Sequence, residues 1–393
     1  MLVNEFPPLP VGGAERQAER LSANLAGRGW MVWVLTRRAP GLPARESRSG
    51  FEIIRPASFG AGKLRTVSFV LGSLAELWRL RKSYEILHAH LAFGPAFAAV
   101  VGAHFLGKRV VVKLGNSGEF GDIRVSQSTW RGRLRLASLR RWADMIIVLD
   151  KNMQEETLSA GFDPTRVRRL LNGIDSQAYI PTQPKAIARK ALGLEGKTVV
   201  LSMGRLSAQK SLPVLFKAFA AASAENPALH LFVLGDGPDR PSLEALARSL
   251  NIFERVTFAG NQDDVRPYLA ASDVFALPSA SEGISNALLE AAAAGLVCLA
   301  TPVGGSPEVL DHGRCGLLLP VADVDAWAAA LLKVGRSPSL RADLGKAAAE
   351  RVRSEYDFEV TGARVESLYT ELLGWSKPGQ GPRVDGPLVE GKR

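Results

Sequence analysis

The sequence predicts an α/β protein made of two doubly wound domains that face each other across a cleft. Short apolar, β-branched runs alternate with segments of helical periodicity, and these runs are apolar along almost their whole length, which is typical of parallel strands covered on both faces. The alternation occurs twice, and the turn-rich segment "NGIDSQAYIPTQP" (172–184) separates the two series. A chain of 393 residues is long enough for two domains.

The first series predicts a domain over residues 1–172. The chain begins with "LVNEF" (2–6), which resembles a first strand that is two or three residues short. Either this strand is short, or the start of the sequence lies too late. The further predicted elements are strands at 30–36, 51–55, 85–90, 108–114 and 144–150, and helices at 15–26, 65–82, 94–106 and 129–142.

The second series predicts a domain over residues 178–354. Its predicted elements are strands at 197–204, 229–237, 255–260, 273–278 and 295–301, and helices at 211–223, 239–250, 286–294 and 323–334. Residues 374–393 are rich in Gly and Pro and are expected to be disordered. Doubly wound sheets bind ligands beyond the carboxyl ends of their strands, so the cleft between the domains is the expected site.

The composition is that of a globular protein, with 46% hydrophobic and 22% charged residues. No apolar run is long enough for a membrane span, because the longest candidate, 91–106, contains Gly, Pro and His. Two cysteines, Cys298 and Cys315, are too few for a disulfide framework or a Cys-rich metal site. No signal peptide is predicted, and the cytoplasm is the expected compartment.

The net charge of +10 is concentrated in the first half of the chain. Residues 1–170 hold 26 Lys and Arg against 14 Asp and Glu, whereas the remaining residues hold 23 against 25. A basic half of this kind is compatible with an anionic membrane surface, with nucleic acid, or with a solvated face that has no partner.

The loops after two strands of the second domain carry candidate phosphate-binding groups. Neither GxxxxGK[ST] nor GxGxxG is present, and "GDGPDR" (235–240) is a weak signal that fits a tight strand-to-helix turn equally well. The loop "GRLSAQKS" (204–211) is more informative, because Arg205 and Lys210 follow one strand end together and could clamp a diphosphate without a metal. A solvated loop with two cations is the alternative.

The segment "EGISNALLE" (282–290) places two carboxylates around a predicted helix start. Ser285 or Asn286 is the expected N-cap, which leaves Glu282 in the preceding loop and Glu290 about one turn inside an apolar helix. The helix N-terminus suits an anion, and the carboxylates suit hydroxyl groups. A nucleotide-sugar needs both kinds of partner.

Two other interpretations of these carboxylates remain open. Glu282 could be exposed, with Glu290 reaching solvent or pairing with a core arginine. The pair could also act as the acid and base of a glycosidase, although hydrolysis leaves the helix end and the two cations unexplained.

These segments, in this order, resemble the retaining glycosyltransferases of the type with two Rossmann-like domains, called GT-B, and specifically family 4. The resemblance spans nearly the whole chain, and the Glu282–Glu290 pair is its most specific element. It is carried by "GGAERQAERLSANLAGRGWMVWVLT" (12–36), "LHAHL" (87–91), "ADMIIVLDKNMQEET" (143–157), "RVRRLLNGIDSQAYIP" (166–181), "GRLSAQKS", "VLGDGP", "VTFAG", "ALPSASEGISNALLEAAAAG" and "TPVGGSPEVLDHGRCGLLLP" (301–320).

The resemblance implies a role for each matching residue. Arg205 and Lys210 match the cations that hold the donor diphosphate, Glu282 matches the contact to the donor sugar, and Glu290 matches the contact to the ribose. The backbone amides near the sugar and phosphate would be those of Gly283, Ile284, Ser285 and Asn286. Gly12 and Gly13 match the loop that faces the donor from the first domain, and a final helix at about 355–372 would cross back to that domain.

One loop departs from the family pattern. Many members carry a histidine in the loop after the fourth strand, but here the loop "KLGNSGEFGDI" (113–123) has Asn116 or Ser117 at that place. A general base in this loop is therefore unsupported. The resemblance implies instead a front-face mechanism in which a donor phosphate oxygen takes the acceptor proton while Arg205 and Lys210 stabilise the leaving group. No metal and no cofactor are expected.

The histidine pair in strand 85–90 and the basic stretch 123–143 can each be interpreted in more than one way. His88 and His90 lie on alternate positions at a strand end, where a third metal ligand is missing, so a structural or acceptor-side role is expected. The stretch 123–143 has six Arg and no acid, with Trp130, Leu134 and Trp142 as apolar anchors. It could dock on an anionic membrane or be an ordinary covering helix with a basic outer face, and no motif supports nucleic-acid binding.

Together these observations predict a retaining glycosyltransferase that moves a sugar from a nucleotide donor to a hydroxyl acceptor, in assembly of a surface polysaccharide or glycolipid. The expected location is cytoplasmic, with a peripheral position on the inner face of the membrane as an option. The alternatives are a nucleotide-sugar epimerase or hydrolase of the same fold, and a catalytically silent binding protein.

Overall fold

The computed structural model describes residues 1–9, 12–60, 62–118 and 121–375, without the side chain of Lys63. It has the predicted fold class, with one mostly parallel sheet in each half of the chain. Of the tail predicted to be disordered, only residues 374 and 375 belong to this part of the chain. Within it, no helix is both long and apolar enough to cross a membrane.

The first half of the chain forms a sheet flanked by helices. Its strands are β1 (Trp33–Leu35), β2 (Arg45–Arg48), β3 (Phe51–Ile54), β4 (Ile86–His90), β5 (Arg109–Lys113), β6 (Met145–Val148) and β7 (Val167–Arg169). Its helices are α1 (Gly13–Gly27), α2 (Gly62–Arg79), α3 (Gly94–Leu106), α4 (Asp122–Gln127), α5 (Trp130–Trp142) and α6 (Lys151–Ser159). The hydrogen-bonded orders are β1-β3-β2 and β4-β5-β6-β7, and β2 pairs antiparallel with β3.

Leu2 connects these two groups of strands. It forms parallel bridges to Leu35 on one side and to Ala89 on the other. Its backbone N–H donates to the carbonyl of His88, and the N–H of His90 donates to the carbonyl of Leu2. The short "LVNEF" segment therefore lies where the first strand was predicted, between β1 and β4.

Alternation along the strands separates the two faces of this sheet. In β5, Val111 packs in a cluster with Leu25 of α1 and Tyr369 near the end of the described chain. Val110 and Val112 belong to the opposite cluster, which includes residues of α2, α3 and α5. These three helices therefore lie side by side on one face, and α1 covers the other.

The second half forms a six-stranded parallel sheet. Its strands are β8 (Thr198–Met203), β9 (Leu229–Leu234), β10 (Val256–Gly260), β11 (Val274–Leu277), β12 (Val297–Ala300) and β13 (Leu317–Leu318). Its helices are α7 (Lys185–Ala191), α8 (Leu212–Glu225), α9 (Arg240–Ser249), α10 (Arg266–Ala271), α11 (Asn286–Ala293), α12 (Ser306–Val309), α13 (Val324–Arg336) and α14 (Pro338–Glu355). The strand order is β10-β9-β8-β11-β12-β13.

The direction of winding reverses between β8 and β11. Strands β9 and β10 follow β8 to one side, and β12 and β13 follow β11 to the other. A crevice forms at such a switch point because the loops after the two neighbouring strands diverge. The loop 204–211 follows β8, and the segment 278–285 follows β11, so the two sequence candidates lie at this place.

The chain crosses between the domains twice, and the two crossings pair with each other. The N–H of Ile174 donates to the carbonyl of Tyr356, and the N–H of Phe358 donates to the carbonyl of Ile174. The last helix, α15 (Phe358–Leu373), then returns to the first domain and packs against α1. Its position corresponds to the helix expected at about 355–372, while the domain limits 1–172 and 178–354 stay a prediction.

Candidate active site

Glu282 is held by the loops of its own domain. Its Oε1 accepts hydrogen bonds from Lys210 Nζ at 2.5 Å and from Ser279 Oγ at 2.6 Å, and the residue is 6% exposed. The two loops are also joined through Gln209, which donates from Nε2 to the carbonyl of Ser281 and accepts from the N–H of Ala280. The structure therefore brings half-buried Lys210 and buried Glu282 together as an ion pair at the switch point.

Arg205 lies beside this pair with a free side chain. It is exposed, and no described residue forms a hydrogen bond or ion pair with its guanidinium group. It borders a small crevice together with Lys210 and the ends of β8, β9 and β11. Both cations of the loop thus face the place where the strands diverge.

The glycines of "GDGPDR" have a packing role. A Cβ at Gly235 would collide with the carbonyl of Gly204, and one at Gly237 would collide with the carbonyl of Leu206. The N–H of Leu206 also donates to the carbonyl of Asp236 at 3.0 Å. Because these glycines lack a Cβ, the loop after β9 can pack directly against the loop that carries Arg205. This favours the interpretation of the motif as a tight turn.

The start of α11 presents unused backbone donors. Ser285 is the N-cap, and its Oγ accepts from the N–H of Leu288 at 3.3 Å. No described residue accepts a hydrogen bond from the backbone N–H groups of residues 283–287. A run of free amides at a helix N-terminus carries partial positive charge, so this end of α11 suits an anion.

The first domain contacts this helix start through α1. Asn286 Nδ2 donates to the carbonyl of Gly13 at 3.2 Å, and Asn286 Oδ1 accepts from Gln17 Nε2 at 2.8 Å. Gln17 is buried and also exchanges hydrogen bonds with the backbone of Gly173. Gly12 is the N-cap of α1, and the next residue, Gly13, provides the carbonyl that contacts Asn286.

The loop without a histidine contacts the same segment. Ser281 Oγ donates to the carbonyl of Ser117 at 2.9 Å, and Ser117 Oγ donates to the carbonyl of Glu282 at 3.4 Å. A Cβ at Gly283 would collide with the carbonyl of Gly115. Asn172 Nδ2 also donates to the carbonyl of Ile284 at 3.2 Å. Residues 281–286 are therefore enclosed by both domains.

Glu290 is held by α1 of the first domain and by the segment that connects the domains. Its Oε1 accepts from Arg20 of α1 at 3.1 Å and from the hydroxyl of Tyr179 at 2.9 Å, and Arg20 donates to Tyr179 at 2.7 Å. Burial raises the pKa of Tyr179, and the charge of Glu290 raises it further. Burial lowers the pKa of Arg20, but Tyr179 and Glu290 outweigh this and raise it above its ordinary value.

The pairing of Glu290 with an arginine was one of the two sequence interpretations. Its partners, Arg20 and Tyr179, were not found from the sequence, because they lie in α1 and in the turn between the domains. A polar face on α1, with Gln17 and Arg20 one turn apart, is the only signal that pointed to them. The role of Glu290 toward a ribose stays a prediction.

Several buried polar atoms around this segment lack a partner. They include Arg20 Nη1, Asn172 Oδ1, Ser306 Oγ and Asp150 Oδ2, for none of which a described residue provides a hydrogen bond. Burial raises the pKa of Asp150 to about 6 although Oδ1 caps α6 through Met153, and Glu308 and Glu156 raise it further. Unpartnered polar atoms are costly inside a protein, so a polar ligand in the cleft would satisfy them.

His88 and His90 lie inside the first domain. The ring of His88 forms a hydrogen bond of 2.5 Å with the hydroxyl of Tyr369, and it stacks on His90. Burial and nearby Lys113 hold the pKa of His88 well below its ordinary value, and the pKa of His90 is lowered in the same way. No group of three or more His, Cys, Asp or Glu in the described ranges is arranged to hold a metal ion.

Cavity size does not identify this site. A cavity of 230 Å³ lies at the amino ends of the first sheet, lined by Met1, Trp30 and Tyr84 among others. The crevice at the switch point measures only 10 Å³. The domain contacts described above cover the segment 281–290 and leave little open space beside it.

Comparisons with known proteins identify the family and the fold of the chain. The family model for glycosyl transferases group 1 matches residues 184–351, and the model for Glycosyltransferase Family 4 matches residues 11–178. A D-inositol 3-phosphate glycosyltransferase from Saccharomonospora viridis is 30% identical over 92% of this chain and 90% of its own length. A GDP-mannose-dependent monoacylated alpha-(1-6)-phosphatidylinositol monomannoside mannosyltransferase from Corynebacterium glutamicum is 27% identical over 94% and 96%. The structure of Anabaena HepE in complex with UDP-glucose has a TM-score of 0.78 at 19% identity, covering 94% of this chain and 98% of that one.

Proposed function

Because the chain belongs to the glycosyl transferases group 1 family, we propose that it is a retaining glycosyltransferase that moves a hexosyl unit from a nucleotide-diphosphate sugar to a hydroxyl acceptor. The acceptor would be part of a growing surface polysaccharide or glycolipid. The S. viridis relative is named for an inositol phosphate and the C. glutamicum relative for a lipid, so both kinds of hydroxyl acceptor occur among similar proteins.

The observation that carries this proposal is the run of free amides at residues 283–287, which lies next to the loop of Lys210 and Arg205. A diphosphate between them would receive backbone hydrogen bonds from one side and two cations from the other. Glu282 lies between these two sets of groups, and its second carboxylate oxygen would accept hydrogen bonds from sugar hydroxyls. Glu290, about one turn inside α11, would accept hydrogen bonds from the ribose hydroxyls.

The chemistry that we propose is a front-face displacement. The bond from the anomeric carbon to the diphosphate oxygen breaks, and the acceptor oxygen bonds to the same face of that carbon. The acceptor proton passes to an oxygen of the leaving diphosphate, which therefore departs as the nucleoside diphosphate. Lys210, Arg205 and the free amides stabilise the charge that develops on the leaving group.

In this proposal the negative charge of the leaving diphosphate is stabilised by protein groups instead of by a divalent metal. We therefore expect turnover to be unchanged by EDTA and by added Mg²⁺. Loss of activity in EDTA with recovery on Mg²⁺ would refute the metal-independent part of the proposal, but not the transfer itself.

The first experiment is a screen of UDP-, GDP- and ADP-sugars by thermal shift, followed by product analysis with the donor that stabilises the chain. Transfer requires an added hydroxyl acceptor, and NMR of the product should show that the anomeric configuration of the donor is kept. Product formed without an acceptor would favour an epimerase or hydrolase. Binding without any product would favour a silent binding protein.

We also propose that transfer takes place on the inner face of the cell membrane, with the chain bound peripherally. The support is the basic first domain and the lipid acceptor named for the C. glutamicum relative.

A further inference from the structure

The outer surface of α2, α3 and α5 exposes large apolar side chains. On α2 these are Leu64, Val67, Leu71 and Trp78, which recur at intervals of three, four and seven residues and therefore form one stripe along the helix. Leu71 is 62% exposed, although the same helix buries Phe69 and Leu77 on its opposite side. Helix α2 thus has two apolar faces, and the fold uses only one.

The two neighbouring helices continue this surface. Helix α3 exposes Phe97 and Phe105, of which Phe105 is 78% exposed, and α5 exposes Trp130 and Leu134. Apart from His104, α3 carries no residue that can be charged. Isolated exposed apolar residues are ordinary, but a group of them on adjacent helices marks an interaction surface.

Packing between the helices makes the surface continuous. Helices α2 and α3 approach closely, because a Cβ at Gly102 would lie 2.8 Å from Leu77 Cδ1. Helices α3 and α5 are joined by the ring of His104, which stacks on Trp142 at 4.8 Å. This contact corrects one expectation, because half-buried Trp142 packs within the domain and is not an outward anchor.

The same surface is strongly basic. Residues 62–82 contain five Lys or Arg and one Glu, and residues 121–142 contain six Arg and one Asp. That aspartate, Asp122, is buried, so it does not offset the charge outside. The guanidinium of Arg81 lies over the ring of Trp78 at 4.4 Å, and that of Arg131 over Trp130 at 5.1 Å. Cations and aromatic rings are therefore interleaved.

From these contacts the geometry points to the α2–α3–α5 surface as a docking site for an anionic phospholipid bilayer. Aliphatic and aromatic side chains would enter the boundary between headgroups and acyl chains, and the arginines would remain among the lipid phosphates. The combination favours a lipid surface over a protein partner, because guanidinium groups lie over the exposed rings of Trp78 and Trp130 and few acidic residues accompany them. The docking surface lies apart from the cleft and does not depend on the proposed transfer.

Flotation of the full chain with phosphatidylcholine vesicles, with and without phosphatidylglycerol, tests this inference without donor or acceptor. We expect binding only to vesicles that contain phosphatidylglycerol, and weaker binding at higher ionic strength. Absence of binding at low salt would overturn this inference together with the peripheral membrane location proposed above, while leaving the proposed sugar transfer open.

Two variants separate the contributions of apolar and of charged side chains to vesicle binding. Replacing Leu71, Trp78 and Phe105 together by Ser should weaken vesicle binding about ten-fold or more. Replacing Arg131, Arg133 and Arg141 by Gln should weaken it about five-fold for each arginine. All these side chains are exposed, and circular dichroism and the melting temperature should show that the variants remain folded.

Matched controls lie on the second domain. The apolar control is Ile187→Ser with Val321→Ser, and the charge control is Lys217→Gln with Lys333→Gln and Arg353→Gln, all at exposed positions. These controls should bind vesicles like the unchanged chain. Equal losses in the controls would contradict the inference. So would light scattering that shows the first-domain variants dissociating a dimer while vesicle binding persists, because the surface would then be a protein interface.

Discussion

The two ends of the segment 282–290 are held in different ways. The carboxylate of Glu282 takes both of its partners, Lys210 and Ser279, from its own domain. The carboxylate of Glu290 takes Arg20 from the first domain and Tyr179 from the connection between the domains. Both carboxylates are nearly buried, at 6% and 8% exposure, so each needs its partners. The carboxylate at the sugar end of the proposed site is thus held by one domain, and the carboxylate at the ribose end depends on contact between the two.

The largest expected effect comes from removing the cation of Glu282. Lys210→Met leaves a buried carboxylate without its ion pair and removes one charge from the leaving diphosphate, so we expect kcat to fall by about 10²–10³. Steady-state kinetics with a soluble acceptor measures this. Lys217→Met, at an exposed position on α8, is the matched control and should leave kcat unchanged. A Lys210→Met enzyme with normal kcat would remove Lys210 from the proposed mechanism.

Removal of the other carboxylate should act on binding. In Glu290→Ala the ribose hydroxyls lose their proposed acceptor, and we expect nucleoside-diphosphate affinity to fall about 10–100-fold, since hydrogen bonds to charged groups contribute about 1.5–3 kcal/mol each. Calorimetry with the free nucleotide measures this without turnover. Unchanged affinity would show that the ribose assignment of Glu290 is wrong.

Arg20 tests whether the ribose end depends on domain contact. Arg20→Met removes the cross-domain ion pair, and we expect nucleotide affinity to fall about ten-fold and the radius of gyration to increase in small-angle scattering. Tyr179→Phe loses only a neutral donor and should cost about two- to ten-fold in affinity. Lys210→Met should leave the radius of gyration unchanged. An increase equal to that of Arg20→Met would contradict the idea that only the Glu290 end depends on contact between the domains.

The fold and the site can be predicted from the sequence only where a residue or segment has a recognisable pattern in its own neighbourhood of the chain. Apolar runs predict ten of the thirteen described strands, and the short strands β7 and β13 are missed together with β2. Lys210 and Glu282 are predicted because each follows such a run at a strand end. The edge strand β2 has the sequence "RESR" and half-exposed or exposed side chains, so no apolar pattern reveals it. Helix α14 was also missed, because its buried positions are mostly Gly and Ala.

The contacts of Glu290 could not be derived in the same way. Arg20 and Tyr179 reach it only because the domains adopt one relative orientation, and side-chain spacing within a helix contains no information about that orientation. Trp142 shows the same limit, since its apolar character fits an outward anchor until the ring of His104 is placed against it.

A third carboxylate near the segment, that of Asp150, forms no ion pair with any residue that the structure describes. Burial raises the pKa of Asp150 from its ordinary 3.8 to about 6, so the folded chain binds a proton that the unfolded chain has released between these values. The contribution of Asp150 to stability is therefore greatest below pH 4 and is lost as the pH rises through 6. Asp150→Asn keeps a capping side chain for α6 and has no charge to bury.

We accordingly expect Asp150→Asn to raise the melting temperature by about 2–4 °C at pH 7.5, and the gain to disappear as the pH approaches 4. Calorimetric scans across this range measure it. Asp163→Asn is the matched control, because Asp163 also caps a short helix but is exposed, and its hydrogen bonds with Thr165 lower its pKa. That variant should show no gain at pH 7.5, and a gain equal to that of Asp150→Asn would mean that burial is not the cause.

The paired crossings at Ile174 and Tyr356–Phe358 restrict how the enzyme can open. Ser176 Oγ also donates to Asp357 Oδ2 at 2.5 Å, so the two connections are fastened side by side. A single connection would allow the domains to swivel in any direction, but two adjacent ones leave essentially one degree of freedom, a rotation about the line on which they meet. After each cycle of product release the segment 281–286 would then return to residues 115–118 along the same path, so the two halves of the site reassemble without a search.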